Sequence, residues 1–509
     1  MGIWSRQLGC STLAIFLSGS VGWADVTADQ VWSDFKEYLE SVGYTVEGTE
    51  QASGGTLTIS NLALAMDMPD QSGSSRMALD SITFAETGDG RVRVSVPDSM
   101  PITFSATSPE FGGEDIAGVI EHTQSGFDMI VSGDPDNMVY DYSADTLAFA
   151  LNSLTVGGEA IAIDEARMQF SDMSGNSTTR GSDLRQITQT MSIATMSFAL
   201  DMAHPEDPSG RISASGGLEN LGFDGEIALP ADVDLTDVAA AMQAGFSVDG
   251  GYTYENGASE FSFTGEGEVV EGNTTSAAGA LAVRMNRDLL EYAAQANGIA
   301  MQFTGTQIPM GIPVSVDIGT AGFKMLMPVG QSEEPADFAL GLTLADVTAS
   351  DMIWAFLDPT AQLPRDPATI EIDLTGKARM TQDLMDPQAM AMAAGDPPGE
   401  LHALTVQALT LAIGGARLTG NGDFTFDNED LSTFPGMPKP TGALDLELTG
   451  GNALLDTLVA MGMLPQEQAM GARMMLGLFA RPGDGPDNLT SRIEVNEEGQ
   501  VLANGQRLR

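Results

Sequence analysis

Cysteine is almost absent from this chain of 509 residues, since Cys10 is the single example. It lies in an apolar run, Leu8 to Leu17, that follows Arg6 and precedes Gly22-Trp23-Ala24, whose small residues suit signal-peptide cleavage. The run is far shorter than the roughly 20 residues of a membrane-spanning helix. We therefore expect residues 1–24 to be a cleaved signal peptide and the protein to be periplasmic. Loss of Cys10 would leave no disulfide and no thiolate metal ligand.

Basic residues are also scarce, with 22 Lys and Arg against 71 Asp and Glu and a formal net charge of −49. Such a charge repels the phosphate backbone, so nucleic acid is excluded as a partner. The acidic surface could recruit cations or a basic partner, or it could serve solubility in a salty compartment. We favour the second interpretation.

The sequence offers little for catalysis. Its three histidines, His122, His204 and His402, are far apart, and it contains no G-x-S-x-G, H-E-x-x-H or EF-hand pattern. Asp134 to Asn137 and Asp484 to Asn488 could offer oxygens to calcium, but both are also ordinary turn sequences, which is the interpretation we favour. We therefore predict a protein that is not an enzyme, with no catalytic, cofactor-binding or metal-ligating residue and no cofactor. A hydrolase with an unrecognised site is the least favoured alternative.

Methionine, in contrast, is abundant at 29 residues. Several methionines are paired, which could in principle suit cuprous copper. Each pair also fits an apolar strand or helix pattern, so we favour packing in a core or a groove, where flexible thioethers accommodate varied acyl chains. The pairs are Met66 and Met68, Met390 and Met392, Met461 and Met463, and Met474 and Met475.

Apolar residues alternate with polar ones along most of the chain, which indicates antiparallel strands with one apolar face. Two such runs are Leu340, Leu342, Leu344 and Leu444, Leu446, Leu448. A phase slip at Ser60-Asn61 suggests a bulge or turn. The predicted fold is mainly β, with a long curved antiparallel sheet, an incomplete barrel or groove, and a few short packing helices.

A helix is predicted at the start of the mature chain, because Thr27 and Gln30 have capping-box spacing before an apolar period of 3.6 residues. Five shorter helices are predicted further on, three of them closely following a strand. They are Leu235 to Ala244, Asp288 to Ala296, Asp351 to Leu357, Ala453 to Met461 and Gln466 to Phe479. A boundary near Pro230 would divide the mature chain into residues 25–230, a helix plus antiparallel β region, and residues 231–509, a β region with strand-helix units.

The C-terminal sequence resembles a known family in three stretches. They are ARLTGNGDFTFDNED from Ala416, GALDLELTGGNALLDTLVAMG from Gly442, and SRIEVNEEGQVLANGQRLR from Ser491. This pattern is similar to that of the exported bacterial family called domain of unknown function 2125 and, more distantly, to AsmA-like envelope proteins. The first resemblance implies no catalytic residue. The second implies a long curved sheet with an apolar concave face, associated with envelope lipids.

Together these patterns favour an envelope protein that binds or shields a lipid or another apolar ligand in a curved sheet. The six leucines Leu340, Leu342, Leu344, Leu444, Leu446 and Leu448 would line the groove. The alternative is a protein-interaction scaffold in which the same residues form a closed core without a ligand. In either case we expect a soluble monomer with no transmembrane span after signal cleavage, and an envelope protein is a further candidate partner.

Overall fold

The computed structural model describes residues 25–67, 73–107, 115–204, 210–231, 237–265, 267–308, 311–386 and 397–508. The predicted signal peptide lies outside these ranges. The helices are α1 (Ala28–Ser41), α2 (Val238–Gln243), α3 (Asp351–Leu357), α4 (Gly451–Ala460) and α5 (Gln466–Phe479).

The strands are more numerous and join in one sheet of 25. They are β1 (Thr45–Ser53), β2 (Thr56–Asp67), β3 (Ser74–Glu86), β4 (Val92–Ser95), β5 (Ser99–Thr107), β6 (Asp115–Ser125), β7 (Asp128–Asp134), β8 (Asn137–Val156), β9 (Glu159–Ala160), β10 (Ile163–Arg180), β11 (Leu184–Ala203), β12 (Arg211–Pro230), β13 (Ser247–Gly265), β14 (Glu268–Met285), β15 (Leu289–Gly305), β16 (Val314–Pro328), β17 (Ala336–Ala349), β18 (Ala368–Met380), β19 (Gly399–Ile413), β20 (Ala416–Asp427), β21 (Lys439–Thr449), β22 (Arg481–Pro482), β23 (Asn488–Val495), β24 (Val501–Ala503) and β25 (Gln506–Arg507).

The sheet is an antiparallel meander for most of its length. Each strand from β10 to β20 pairs with the next, β8 pairs with β10, and β21 pairs with β23. Near the start, β4 and β7 lie beside β5 and β6 between the long strands β3 and β8. No pairing among the described residues joins β1 to the last strands, so the sheet is open. The predicted fold class, a long antiparallel sheet with short helices, is confirmed.

The one large core lies at the N-terminal end of the sheet, beneath α1. Thr27 and Gln30 form the predicted capping box at the start of this helix. Val31 and Trp32 are buried against strands β2 and β3, where Ile59 and Phe84 are almost inaccessible to solvent. The apolar stripe of α1 therefore covers one end of the sheet.

A line of backbone kinks, which we call the kink row, runs across the strands. Its members lie opposite one another on successive strands, and those on β10, β12, β13, β15 and β17 have a positive φ angle: 49° at Asp172, 50° at Asn220, 49° at Asn256, 59° at Gly298 and 55° at Asp346. Asn, Asp and Gly adopt this left-handed conformation at the least cost.

The kink row shifts the alternation of side chains by one residue in each strand that it crosses. In β13, for example, Tyr252 and Tyr254 precede Asn256 and Phe261 and Phe263 follow it, so the apolar positions change from even to odd. The phase slip predicted at Asn61 has the same cause, since its φ angle is 53°. Because neighbouring strands shift in the same row, one face stays apolar on both sides of it.

One predicted helix is wrong. Residues Asp288 to Ala296 belong mostly to β15, which pairs with β14 on one side and β16 on the other. The segment LLEYAAQA is rich in helix formers, but two neighbouring strands satisfy its backbone, and this tertiary pairing outweighs propensity. The helices predicted at Asp351 to Leu357 and Gln466 to Phe479 have the predicted bounds, and the one predicted at Ala453 to Met461 differs by one or two residues at its ends. Of the helix predicted at Leu235 to Ala244, residues 235 and 236 lie outside the described residues, and the rest corresponds to α2.

The predicted boundary at Pro230 falls at the end of β12. Strands β12 and β13 pair along most of their length, from Arg211 opposite Thr264 to Ala228 opposite Ser247, so the sheet continues across this point. The division into residues 25–230 and 231–509 stays a prediction.

Candidate functional site

A row of apolar side chains, which we call the central row, crosses the sheet from strand to strand. Each member lies directly opposite the next in the strand register, so all of them point to the same face. From β12 to β21 the row contains Phe223, Tyr252, Leu281, Ala294, Phe323, Leu342, Ile372, Leu409, Gly420 and Leu446.

Two flanking rows lie on the same face, two residues away from the central row in each strand except β19, where a register shift places Val406 three residues from Leu409. One contains Val283, Tyr292, Met325, Leu340, Leu374, Val406, Gly422 and Leu444. The other contains Tyr254, Gly279, Ala296, Ala321, Leu344, Ile370, Leu411, Leu418 and Leu448. We call the three rows together the apolar face. It includes all six leucines that the sequence analysis singled out.

The middle of the apolar face is open to solvent. Leu342 is 44% exposed, Leu340 41% and Tyr252 40%, far above the values of a closed core. A concavity of about 560 Å³ lies over this region, and its lining includes Tyr252, Leu281, Phe323 and Leu342. Contiguous apolar surface of this kind is uncommon on monomers and marks binding sites for apolar ligands or partners.

The opposite face of the same strands is polar. Its shallow depression beside β13 to β18 is lined by Asp224, Lys324, Glu371 and Asp373 among others. Thr343 belongs to this face, since it follows Leu342 in the strand and lies opposite Gly322 and Glu371. The large apolar side chains of these strands thus lie on the apolar face, while the opposite face carries these charged residues among glycines and alanines.

Aromatic rings on the apolar face lie flat across glycines of adjacent strands. A Cβ atom at Gly272 would lie 2.6 Å from the ring of Phe261, and the ring of Phe338 covers Gly376 in the same way. Such aromatic and glycine pairs pin the register of a sheet. They also keep the rings low, so the face is smooth.

At the N-terminal end, the central row continues into the core beneath α1. Phe223 lies opposite Met191, and the register leads on through Tyr142 and Met129 to Phe84. Helix α1 thus closes one end of a face that is open further along.

A polar anchor holds α1 in that position. Arg185 Nη2 lies 2.6 Å from Asp34 Oδ1, with both side chains largely buried, and the Tyr140 hydroxyl donates to Asp34 Oδ2 at 2.5 Å. Burial, followed by the adjacent Asp34 carboxylate, raises the pKa of Tyr140, so its hydroxyl keeps the proton that it donates. Arg185 also lies over the ring of Tyr38, 5.5 Å from its centroid.

The histidines do not come together in a catalytic arrangement. His122 lies in β6, His204 follows β11, and His402 lies in β19, so many strands separate them. His122 is buried against Phe149, and this burial lowers the pKa of its imidazole. Among the described residues, no group of three or more His, Cys, Asp or Glu side chains is arranged to hold a metal ion.

The two acidic turns have structural roles. In the turn between β7 and β8, Asp134 Oδ1 accepts from the backbone N–H of Asp136 at 3.0 Å. Asp487 accepts from Asn452 and Ala453 at the start of α4, at 2.8 to 3.1 Å.

The methionines of the C-terminal helices differ from the prediction of core or groove packing. Met463, Met474 and Met475 are all more than half exposed, whereas Ala469, on another side of α5, is buried. The sequence could not distinguish a buried stripe from an exposed one. Met68, Met390 and Met392 lie outside the described residues.

Within the described part of the chain, no helix is both long and apolar enough to cross a bilayer. No curated protein matches the sequence. Residues 256–508 match a family model described as "Uncharacterized protein conserved in bacteria (DUF2125)". This match confirms the first resemblance in the C-terminal sequence and extends it towards the middle of the chain. The resemblance to AsmA-like proteins stays a prediction.

Proposed function

We propose that this protein, whose residues 256–508 match the DUF2125 family model, binds a lipid or another elongated apolar ligand along its apolar face. We propose further that it acts in the periplasm and without catalysis. The observation that carries the proposal is the central row: nine apolar side chains and one glycine in direct register on ten successive strands, with Tyr252, Phe323 and Leu342 about two-fifths exposed.

The dimensions of the face suit an acyl chain. Neighbouring strands lie about 4.8 Å apart, so the row from β12 to β21 extends for roughly 40 Å along the sheet. Each methylene group that leaves water for this surface contributes roughly 0.8 kcal/mol. Directional groups are few on the face, so the proposed affinity is for chain length rather than for a particular headgroup.

The charge of the protein supports an apolar contact rather than an ionic one. With a formal net charge of −49, the molecule repels free anionic headgroups at long range. A bound lipid would therefore lay its acyl chain on the apolar face and keep its headgroup in solvent at the rim.

The test is binding of a fluorescent fatty-acid probe to the purified chain, together with native mass spectrometry of the protein from its host. Two lysine variants provide a matched pair, because Leu342→Lys alters the apolar face and Thr343→Lys alters the polar face one residue away. We expect at least tenfold weaker probe binding by Leu342→Lys and an unchanged value for Thr343→Lys. A wild-type chain that takes up neither probe nor cellular lipid would leave the interaction scaffold as the better explanation.

A further inference from the structure

Helices α4 and α5 form a hairpin that stands at one end of strands β20 and β21. Arg473 joins the two helices, since its Nη2 atom lies 2.5 Å from Asp456 Oδ1 and 3.3 Å from the Asn452 carbonyl oxygen. Asp487 holds the start of α4, as described above. These contacts hold the two helices together and attach the start of α4 to the turn that precedes β23.

The outer side of this hairpin is apolar and bare. Met470, Met474 and Leu478 follow one another at intervals of four residues, so they form one stripe along α5. They are 59%, 72% and 50% exposed, and Ala469 is the one residue of α5 that is buried. Met463, in the turn between the helices, extends the stripe. Nothing lies within 4 Å of the position that a Cβ would take at Gly471 or Gly477. We call this surface the methionine stripe.

The charge around the methionine stripe differs from that of the whole molecule. Residues 456–484 contain the carboxylates Asp456, Glu467 and Asp484 and the guanidinium groups of Arg473 and Arg481, a net charge of 2 − 3 = −1, whereas the chain carries −49. The strong acidic character of the protein is thus interrupted where the largest exposed apolar side chains lie.

The hairpin adjoins the apolar face. Leu448, the last leucine of a flanking row, packs at Gly451, the first residue of α4. Leu454 of the same helix lies beside Gly414 at the end of β19, where Ile413 is also more than half exposed. Apolar surface therefore continues from the sheet to the helices.

We propose that the methionine stripe docks the protein on the surface of a lipid bilayer, with α5 lying at the interface between headgroups and acyl chains. An exposed apolar stripe along a helix is the side that an interfacial helix turns towards the acyl chains. Methionine side chains are flexible and adapt to a fluid surface. The docking extends the function beyond ligand binding and does not depend on it.

The charge of the protein favours a lipid bilayer over a second copy or a basic protein as the partner of the methionine stripe. A second copy would bring another −49 charges to the interface, and this repulsion opposes self-association. A basic protein partner would find few free carboxylates, because Asp456 is already paired with Arg473 and Glu467 is the single carboxylate of α5. A zwitterionic bilayer imposes neither cost, so it is the occupant that the surface favours.

Flotation of the full chain with phosphatidylcholine vesicles tests the docking. The matched variants are Met470→Glu and Met437→Glu, since these methionines are 59% and 58% exposed but lie at opposite ends of β20 and β21. We expect the wild type and Met437→Glu to float equally and Met470→Glu to partition at least fivefold less. Addition of phosphatidylglycerol should weaken flotation at low salt, because the acidic protein is repelled, and salt should restore it.

Two results would overturn the docking proposal. One is a wild-type chain that stays with the soluble fraction, and the other is an equal loss for both glutamate variants. Sedimentation velocity provides a separate test. A wild-type dimer that Met470→Glu converts to a monomer would also overturn the proposal, because it would assign the stripe to a second copy. Leu342→Lys should float as the wild type does, so failure of ligand binding and failure of docking are read separately.

Discussion

The ring of Tyr254 in β13 lies across Gly279, its direct partner in β14, so that a Cβ atom at Gly279 would overlap the ring. The Tyr254 hydroxyl reaches Ser276 Oγ at 3.1 Å. The ring thus lies along the apolar face instead of projecting from it. The same relationship at other aromatic and glycine pairs explains how a face built from large side chains stays shallow enough to receive a ligand.

Substitution of Gly279 by alanine should force this ring upwards. We expect Gly279→Ala to lower the free energy of unfolding by about 1–3 kcal/mol, the usual cost of overpacking, and to weaken binding of an acyl probe. Gly322→Ala is the control, because the nearest atom to its added Cβ is the Ala294 carbonyl oxygen at an ordinary 3.7 Å. Urea unfolding of both variants checks the difference. Equal stability of the two alanine variants would contradict the described ring position.

The kink row should depend on residues that tolerate a positive φ. We expect Asn256→Ala to destabilise the protein by about 1–2 kcal/mol, the cost of a left-handed conformation for a residue with a Cβ. Asn256→Gly should cost less, although both variants lose the hydrogen bond from Asn256 to Glu219. Thermal unfolding of the two variants separates the backbone effect from the side-chain effect. A glycine variant no more stable than the alanine variant would show that φ is unimportant here.

The anchor of α1 should be sensitive to loss of its cation. Arg185→Met would leave the Asp34 carboxylate, 14% exposed, without its ion pair, so we expect a loss of about 3 kcal/mol. Arg167→Met removes an exposed pair with Glu165 and should change stability by less than about 0.5 kcal/mol. Hydrogen exchange of the α1 amides provides the local measurement. Unchanged protection in Arg185→Met would argue against an anchoring role.

The attachment of α4 should depend on pH through Asp487. Desolvation acts to raise the pKa of Asp487, but hydrogen bonds from Ala453 and Asn452 outweigh it and hold the pKa below its usual value. A depressed carboxyl pKa contributes stability above the unfolded value of about 3.9 and loses it as pH falls through the folded value.

We therefore expect Asp487→Asn to destabilise α4 by about 1 kcal/mol at neutral pH. The difference from the wild type should vanish in acid. Asp484→Asn, in the same turn, serves as the control, because its backbone carbonyl rather than its carboxylate accepts from Asn488. Amide exchange in α4 at pH 7 and pH 3 measures the difference between Asp487→Asn and the wild type. A difference that persists at pH 3 would show that the negative charge of Asp487 is not its cause.

The sequence predicted a structural feature correctly where that feature depends on residues close together in the chain. The capping box at Thr27, the phase slip at Asn61 and the period of α5 each depend on neighbouring residues, and the structure contains all three. The prediction of a helix after Asp288 was wrong because the helix-forming composition of this segment competes with pairing to β14 and β16. The pattern within one segment does not show which strands it pairs with. The exposed side of α5 could not be predicted, since a stripe of methionine and leucine has the same period whether it is buried or bare.

Side chains alternate with a period of two whatever a strand pairs with, so the residues of one strand that share a face could be assigned without the structure. In this way Leu340, Leu342 and Leu344 form one set and Leu444, Leu446 and Leu448 another. The three-dimensional structure was needed to show that both sets lie in the same three rows, that the middle of this face is open, and that α1 covers its N-terminal end. Register and coverage depend on contacts between residues far apart in the chain, so no local pattern contains them.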